Sequence, residues 1–295
     1  MSASPGTPAV PDFFAAYQGR IAAELERLVP DPGAQPDPVR RSMRYTLLAP
    51  SKQVRAVLTL LSADLCGDST RALPVAAAVE LIHASSLILD DLPAMDNAPL
   101  RRGRPANHVE FGEAIAILAA FGLLSLAFET VARAYEPALA GRLATLLSDT
   151  VGPDGLIGGQ AEDLLSTDRD VSFDTLERIH RRKTGSLFDA AATAGAMTAG
   201  AGPDAVTALA AYAKNLGLAF QIVDDLLDIT GTPAETGKAV RQDTKKTTFV
   251  SFSGAEGARQ LAAELCETAD TALAPFGRRA DRLRELSAFV AARRL

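Results

Sequence analysis

Apolar residues return along most of this chain at spacings of three and four, the period of an α-helix with one buried face. Phe14, Tyr17, Ile21, Leu25 and Leu28 form such a stripe and predict a first helix over 13–29, ended by the proline-rich stretch that follows. The same pattern predicts helices over 41–48, 54–65, 74–90, 113–134 and 138–151, and further on over 172–200, 204–231, 255–273 and 280–293. The breaks are turn chemistry: Ala49-Pro50-Ser51, Gly67-Asp68-Ser69, the segment from Pro99 to Pro105, and Glu136-Pro137. No stretch alternates with the two-residue period of a half-buried strand, so a sheet is not expected. Alanine-rich runs at 114–120 and 190–213 favour close approach of helices. The fold class read from this pattern is all-α, one antiparallel helical domain over 13–295 behind a flexible lead-in at 1–12.

The first residues lack a basic start followed by an apolar core and do not read as a secretory signal. The longest apolar tract, 114–128, falls short of the roughly 20 residues that span a bilayer, so a buried helix and no membrane span are expected. A net charge of −6 and a pI near 5.2 imply no broad basic surface and argue against a nucleic-acid partner. Cys66 and Cys266 match no zinc or redox spacing and read as ordinary core thiols of a cytoplasmic protein.

Two places break the apolar pattern with carboxylates. Ser85-Ser86-Leu87-Ile88-Leu89 runs into Asp90-Asp91-Leu92-Pro93-Ala94-Met95-Asp96, with Arg101, Arg102 and Arg104 just beyond. Asp90 and Asp96 would diverge on an ideal helix, but helix is disfavoured just before Pro93, and a helix ended there brings both to one side. The second cluster is Asp224-Asp225-Leu226-Leu227-Asp228. At about 100° per residue, Asp224 and Asp228 share a helix face with Gln221 and Gly217. Either cluster alone also reads as a solvated helix end. Together, each interrupting an apolar helix, they form a set of hard oxygen ligands suited to Mg²⁺, which is commonly completed by substrate phosphate.

Cations accompany both clusters. Lys52 and Arg55 open a helix whose first amides can also receive phosphate. Lys183 lies in HRRKTGSL beside Thr184 and Gly185, and Lys238 and Lys246 follow the second cluster. His83 stands two turns before Asp90 on the same stripe, either as a core histidine or as a phosphate donor. Ser85, Ser86 and Ser186 have no His-Asp partnership that would make a serine hydrolase.

The order DDLPAMD, LRRG, GGQAEDL, HRRKTGSL, FQIVDDLLD and GKAVRQDTKKT, from about Arg41 to the end of the chain, resembles the trans-isoprenyl diphosphate synthases, and among them bacterial geranylgeranyl diphosphate synthases. The resemblance implies the isoprenoid synthase fold: antiparallel helices around a deep central cavity, as a homodimer, with the aspartate motifs facing each other across its mouth. It implies that Asp90, Asp96 and Asp224 ligate three Mg²⁺, with Mn²⁺ as a substitute, while Asp91, Asp225 and Asp228 act directly or through water. Arg101, Lys183 and Lys238 would hold an allylic diphosphate (dimethylallyl, geranyl or farnesyl), and Lys52, Arg55, His83 and Arg102 isopentenyl diphosphate, with Lys246 also binding substrate. Thr184 and Gln221 would line the reacting centre. Ser85, five residues before the first aspartate and flanked by Ser86, would leave a deep pocket and a twenty-carbon product.

This chain departs from the family at Pro50-Ser51-Lys52-Gln53-Val54-Arg55-Ala56, where a glycine pair, an arginine and a proline are missing, and at Leu89, where many members have histidine. A farnesyl diphosphate synthase, a class I terpene cyclase and a non-catalytic synthase subunit stay open as alternatives.

Overall fold

The computed structural model describes residues 11–230 and 247–292. Its helices are α1 (Asp12–Leu28), α2 (Pro38–Leu47), α3 (Val54–Cys66), α4 (Leu73–Asp90), α5 (Asn107–Phe111), α6 (Glu113–Ala134), α7 (Pro137–Val151), α8 (Leu156–Leu165), α9 (Phe173–His180), α10 (Ser186–Thr198), α11 (Pro203–Thr230), α12 (Phe249–Ala272) and α13 (Asp281–Ala291). Pro38 and Pro137 stand in the first turns of α2 and α7, where a missing N–H costs nothing. The predicted boundaries fall close to these where the apolar stripe is strong, and 113–134 coincides with α6.

Four expectations change. The helix expected over 172–200 is broken by a π-turn at Arg181–Gly185 between α9 and α10. Helix α8 was not expected at all, because Gly158 and Gly159 lower its propensity. The helix expected from 255 begins at Phe249, where Thr248 and Ser251 form a capping box, and kinks at Gly254 with φ 68°. A two-stranded hairpin, Leu100–Arg101 against Arg104–Pro105, replaces the expected absence of strands, and its tight turn holds Arg102 at φ 55° and Gly103 at φ 73°.

The core falls into a main cluster and a smaller one. α3 packs on α10, α10 on α11, α4 on α6 and α11 on α12. Tyr212, Phe14, Phe188 and Phe249 are among the largest fully buried side chains. The α3–α10 contact is close: a Cβ on Gly195 would stand 2.1 Å from the Thr59 carbonyl oxygen, so only glycine fits. A second cluster, with Leu176, Ile222, Val223, Leu226 and Phe249, braces the C-terminal half of α11 between α9 and α12.

α6 carries the apolar tract at 114–128 on through Glu129 to Ala134. Among the described residues three helical segments, Ser69–Asp90, Glu113–Ala134 and Pro203–Ile229, are long and apolar enough to cross a membrane by length and composition. The first is 67% buried among other helices over its most apolar window, whereas Glu113–Ala134 is 39% buried. α6 therefore keeps an outward apolar face, with Leu118 53% and Phe121 60% exposed.

Candidate active site

α4 ends at Asp90, and the chain then doubles back. The Asp96 amide donates to the Asp90 carbonyl at 2.9 Å, Met95 to Leu92 at 2.9 Å and Asn97 to Leu92 at 3.0 Å. The ended helix expected at Pro93 is present, and it brings exposed Asp96 back beside half-buried Asp90. Burial pushes the Asp90 carboxyl up; Lys183 pulls it down, Asp96 pushes it up, Arg101 pulls it down and Asp91 pushes it up. Carboxylates crowded this way stay ionised more readily with a cation between them.

Asp91 points elsewhere. It is 2% exposed, and Arg101 grips it two-handed, with Nε 3.0 Å from each carboxylate oxygen and Nη2 on Oδ1. Burial works against the Arg101 cation, and the bonds to Asp91 together with the charges of Asp91, Asp90 and Asp96 raise its pKa above the ordinary value. Asp225 is likewise buried, taking Gln221 Nε2 on Oδ1 at 3.0 Å and the Phe249 amide on Oδ2 at 3.3 Å. Asp91, expected to act on the metal directly or through water, thus holds Arg101, and Asp225, expected to act likewise, holds Gln221 and the start of α12. Half-buried Asp224 and Asp228 share a stripe with Gln221 on α11.

The π-turn presents Lys183 and Thr184 together, a common device at functional sites. Lys183 Nζ donates to Asp163 of α8 at 2.8 Å and also acts on Asp90. Thr184 Oγ1 donates to Gln221 Oε1 at 2.9 Å, so a chain of bonds runs Thr184, Gln221, Asp225, Phe249. α8 reaches the turn because Gly159 has no side chain; a Cβ there would stand 2.3 Å from the Lys183 nitrogen.

The second cationic group gathers at the start of α3. Arg55 Nη1 lies 3.4 Å from His83 Nε2, and its guanidinium sits 4.7 Å above the Phe188 ring and 5.7 Å from that of Phe220. Lys52 Nζ stands 5.1 Å over Phe289 of α13. Arg102 Nη1 donates to the Ala49 carbonyl at 3.4 Å. Burial lowers its pKa, opposed by Glu80. Lys238 and Lys246 lie outside the described residues.

The resemblance implies that Ser85 borders the product pocket. It is 4% exposed and its Oγ donates to the Ala120 carbonyl of α6 at 2.9 Å, so it faces the α4–α6 interface. Among the half-buried positions of α4, His83, Ser86, Leu87 and Asp90 form a stripe at three- and four-residue spacing. Ser86 belongs to that stripe, its Oγ donating to the His83 carbonyl at 2.9 Å. Ser86→Phe is expected to shorten the product, while Ser85→Phe overpacks the α4–α6 contact and costs about 1–3 kcal/mol. Product chromatography and a thermal melt on both variants check this; shortening by Ser85→Phe alone would return the pocket to Ser85.

Sequence reasoning missed Gln160, Asp163 and Glu80. The first two stand in GGQAEDL, whose helix was too glycine-rich to read. Gln160 Nε2 donates to Met95 Sδ at 3.7 Å, and its buried Oε1 has no partner among the described residues. No three carboxylate, imidazole or thiolate groups among the described residues converge tightly enough to hold a metal unaided. The donors still fit Mg²⁺ with a retained water shell and substrate oxygens: hard oxygens on Asp90, Asp96, Asp224 and Asp228, and an unused buried acceptor on Gln160 next to the aspartate turn.

An all-α bundle that places carboxylates at the ends of two apolar helices, with a cation group beside them and a second at the start of α3, defines an enzyme acting on diphosphates. The sequence model of the polyprenyl synthetase family matches residues 36–271. A dimethylallyltranstransferase of Fischerella ambigua is 40% identical over 96% of this chain and 84% of its own length, and a geranylgeranyl diphosphate synthase of Cyanophora paradoxa is 41% identical over 88% and 89%. The apo crystal structure of an FPP/GFPP synthase from Zymomonas mobilis superposes with a TM-score of 0.84 at 34% identity, covering 95% of this chain and 97% of that one. The chain belongs to the polyprenyl synthetase family and is a trans-prenyltransferase.

Proposed function

We propose that the enzyme condenses isopentenyl diphosphate with an allylic diphosphate, dependent on Mg²⁺ with Mn²⁺ able to substitute, and that geranylgeranyl diphosphate is its main product. The observation that carries the reading is the presence of two separate cation groups. Lys183 and Arg101 stand with the first aspartate cluster and suit a metal-bound allylic diphosphate; Lys52, Arg55, His83 and Arg102 form a second set for a diphosphate that keeps its leaving group. A terpene cyclase needs only the first.

Asp90, Asp96, Asp224 and Asp228 would hold the metal, with Asp91, Asp225 and Gln160 behind them. Mg²⁺ held there would neutralise the allylic diphosphate and make it a better leaving group. Lys183 and Arg101 stabilise the charge gathering on that diphosphate, and the oxygens of Thr184 and Gln221 turn their negative ends toward the allylic cation. Aromatic walls such as Phe188 and Phe220 keep water from the cation. Arg55, Lys52 and Arg102 hold isopentenyl diphosphate so that its double bond attacks, and the adduct loses a proton to the departing diphosphate. No protein nucleophile takes part. The half-buried serine at 86 supports a deep pocket and the twenty-carbon product.

The outward face of α6, with Ile117, Leu118 and Phe121 exposed, supports a homodimer, since a contiguous apolar patch of this kind marks an interface. The two unbridged thiols support a cytoplasmic setting.

The test supplies labelled isopentenyl diphosphate with dimethylallyl, geranyl or farnesyl diphosphate in turn, resolving products by chain length. Incorporation to twenty carbons is expected, abolished by a chelator and restored by Mg²⁺. No incorporation with any primer, or cyclised hydrocarbon from geranylgeranyl diphosphate alone, overturns the reading.

A further inference from the structure

α4 carries one carboxyl side chain amid the apolar run that precedes its terminal aspartate. Glu80 is 5% exposed and faces the first turn of α3, where its Oε1 accepts the Ala56 amide at 3.3 Å. Ala56 follows Arg55 in the chain, and His83, one turn along α4 from Glu80, is the group 3.4 Å from Arg55 Nη1. Burial pushes the Glu80 carboxyl up, and the charges of Arg55 and Arg102 and the Ala56 amide pull it back down. Burying a carboxylate costs several kcal/mol unless cations and hydrogen bonds compensate it. This one lies behind the cationic wall, on the side of the fold away from solvent.

We propose that Glu80 is a positioning residue for the isopentenyl diphosphate subsite, holding the Arg55 and Arg102 side chains and the first turn of α3 in one arrangement before substrate arrives. The inference rests on the assignment of those arginines to isopentenyl diphosphate. The groups facing Arg55 have separate duties. Phe188 and Phe220 lie against its guanidinium, His83 meets one edge, and Glu80, bonded to the amide of the next residue, supplies a buried negative charge that attracts it. Arg102 is held at a positive φ by the hairpin turn, so its backbone is fixed while its long side chain depends on partners for direction. Ala49 accepts from one of its nitrogens, and the Glu80 charge opposes the cost of its burial.

Two effects of removing the Glu80 charge oppose each other. A lost negative charge strengthens the pull on any anion nearby, while two arginines without a counter-charge spread apart and reach for water. The second dominates, because binding a diphosphate at two guanidiniums depends on placing several N–H groups at once, whereas the first is a single charge shielded behind the cations it holds.

Glu80→Gln separates charge from packing, since the amide oxygen can still accept the Ala56 amide. Its KM for isopentenyl diphosphate is expected to rise about ten-fold, the loss that goes with one charge-assisted interaction, with the KM for the allylic diphosphate within two-fold of wild type. Glu80→Asp keeps the charge but withdraws it by one carbon and should fall between the two. In an Arg102→Ala background, Glu80→Gln should cost less than in the wild type, because one of its clients is gone. A purely structural role predicts the opposite pattern: a lower melting temperature with both KM values moved together. An unchanged or lower KM for isopentenyl diphosphate in Glu80→Gln, or full additivity with Arg102→Ala, overturns the proposal. Arg55→Ala and Arg102→Ala in the same assay separate this from failure of the subsite itself. If neither raises the KM for isopentenyl diphosphate, the assignment of the arginines is wrong; if both do and Glu80→Gln does not, only the role of Glu80 is.

Discussion

Gly159→Ala should lower kcat/KM by about a hundred-fold, an effect on the scale of a misplacement of about 1 Å at a reacting group. The added Cβ would lie 2.3 Å from the Lys183 nitrogen and 2.8 Å from its Cα. Both are backbone atoms, so no side chain can swing aside and α8 must withdraw from the π-turn. Withdrawal moves Lys183 relative to Asp90 and breaks its 2.8 Å bond to Asp163. Lys183→Ala should lose at least as much, and the double variant should lose little more than Lys183→Ala alone, because both changes act on one group. Steady-state kinetics on the three proteins, with a thermal melt to monitor folding, decide the matter. Wild-type kinetics for Gly159→Ala would show that the turn tolerates the shift and that Lys183 is placed by something else.

Arg101→Leu should produce the largest loss of stability, about 3–5 kcal/mol, the range found when one partner of a buried ion pair is removed. The side chains of Arg101 and Asp91 are 14% and 3% exposed, and solvent cannot take over the role of the guanidinium. Replacing both, as Asp91→Leu with Arg101→Leu, should recover much of that stability, since a buried pair is often no better than apolar packing of similar volume. It should not recover turnover, because the cation for the allylic diphosphate is still missing. Urea unfolding of the single and double variants measures the first part and product formation the second. A double variant as unstable as the single one would mean that Asp91 matters for more than its charge.

Much of this arrangement is readable from residue order and part of it is not, and the division has physical causes. Long amphipathic helices announce themselves: α6 and α11 carry an apolar stripe over many turns, so their existence and extent follow from period alone. α8 does not, because Gly158 and Gly159, the residues that let it approach Lys183, are those that weaken its helical signal. The π-turn is hidden for a related reason. One extra residue in a turn leaves the apolar pattern on both sides intact, and 172–200 reads as one helix.

The aspartate motifs show the limit at the site. Adjacent carboxylates such as Asp90 and Asp91, or Asp224 and Asp225, carry the same chemistry in the sequence, and only the fold sends the second of each pair into a buried contact with Arg101 or with Gln221 and Phe249. Ser85 and Ser86 differ in the same way, and there the signal was available: Ser86, not Ser85, shares the three- and four-residue spacing that joins His83 to Asp90. Glu80 was available as well, a lone carboxylate inside an apolar helix, and it is the kind of residue that burial makes informative.

The π-turn makes the length of one segment a property under selection. Gly159 fixes Lys183 on one side of the turn, and Gly195 fixes α10 against Thr59 on the other. Between Lys183 and Gly195 the chain has no freedom to gain or lose a residue: deleting one restores a regular helix and turns everything after it by about 100°, which takes Gly195 off Thr59 and presents a bulkier neighbour to a contact with no room for one. Substitutions along this stretch can be tested by selection one at a time, but an insertion or deletion must be accepted at both ends together, so its length should be far slower to change than its letters.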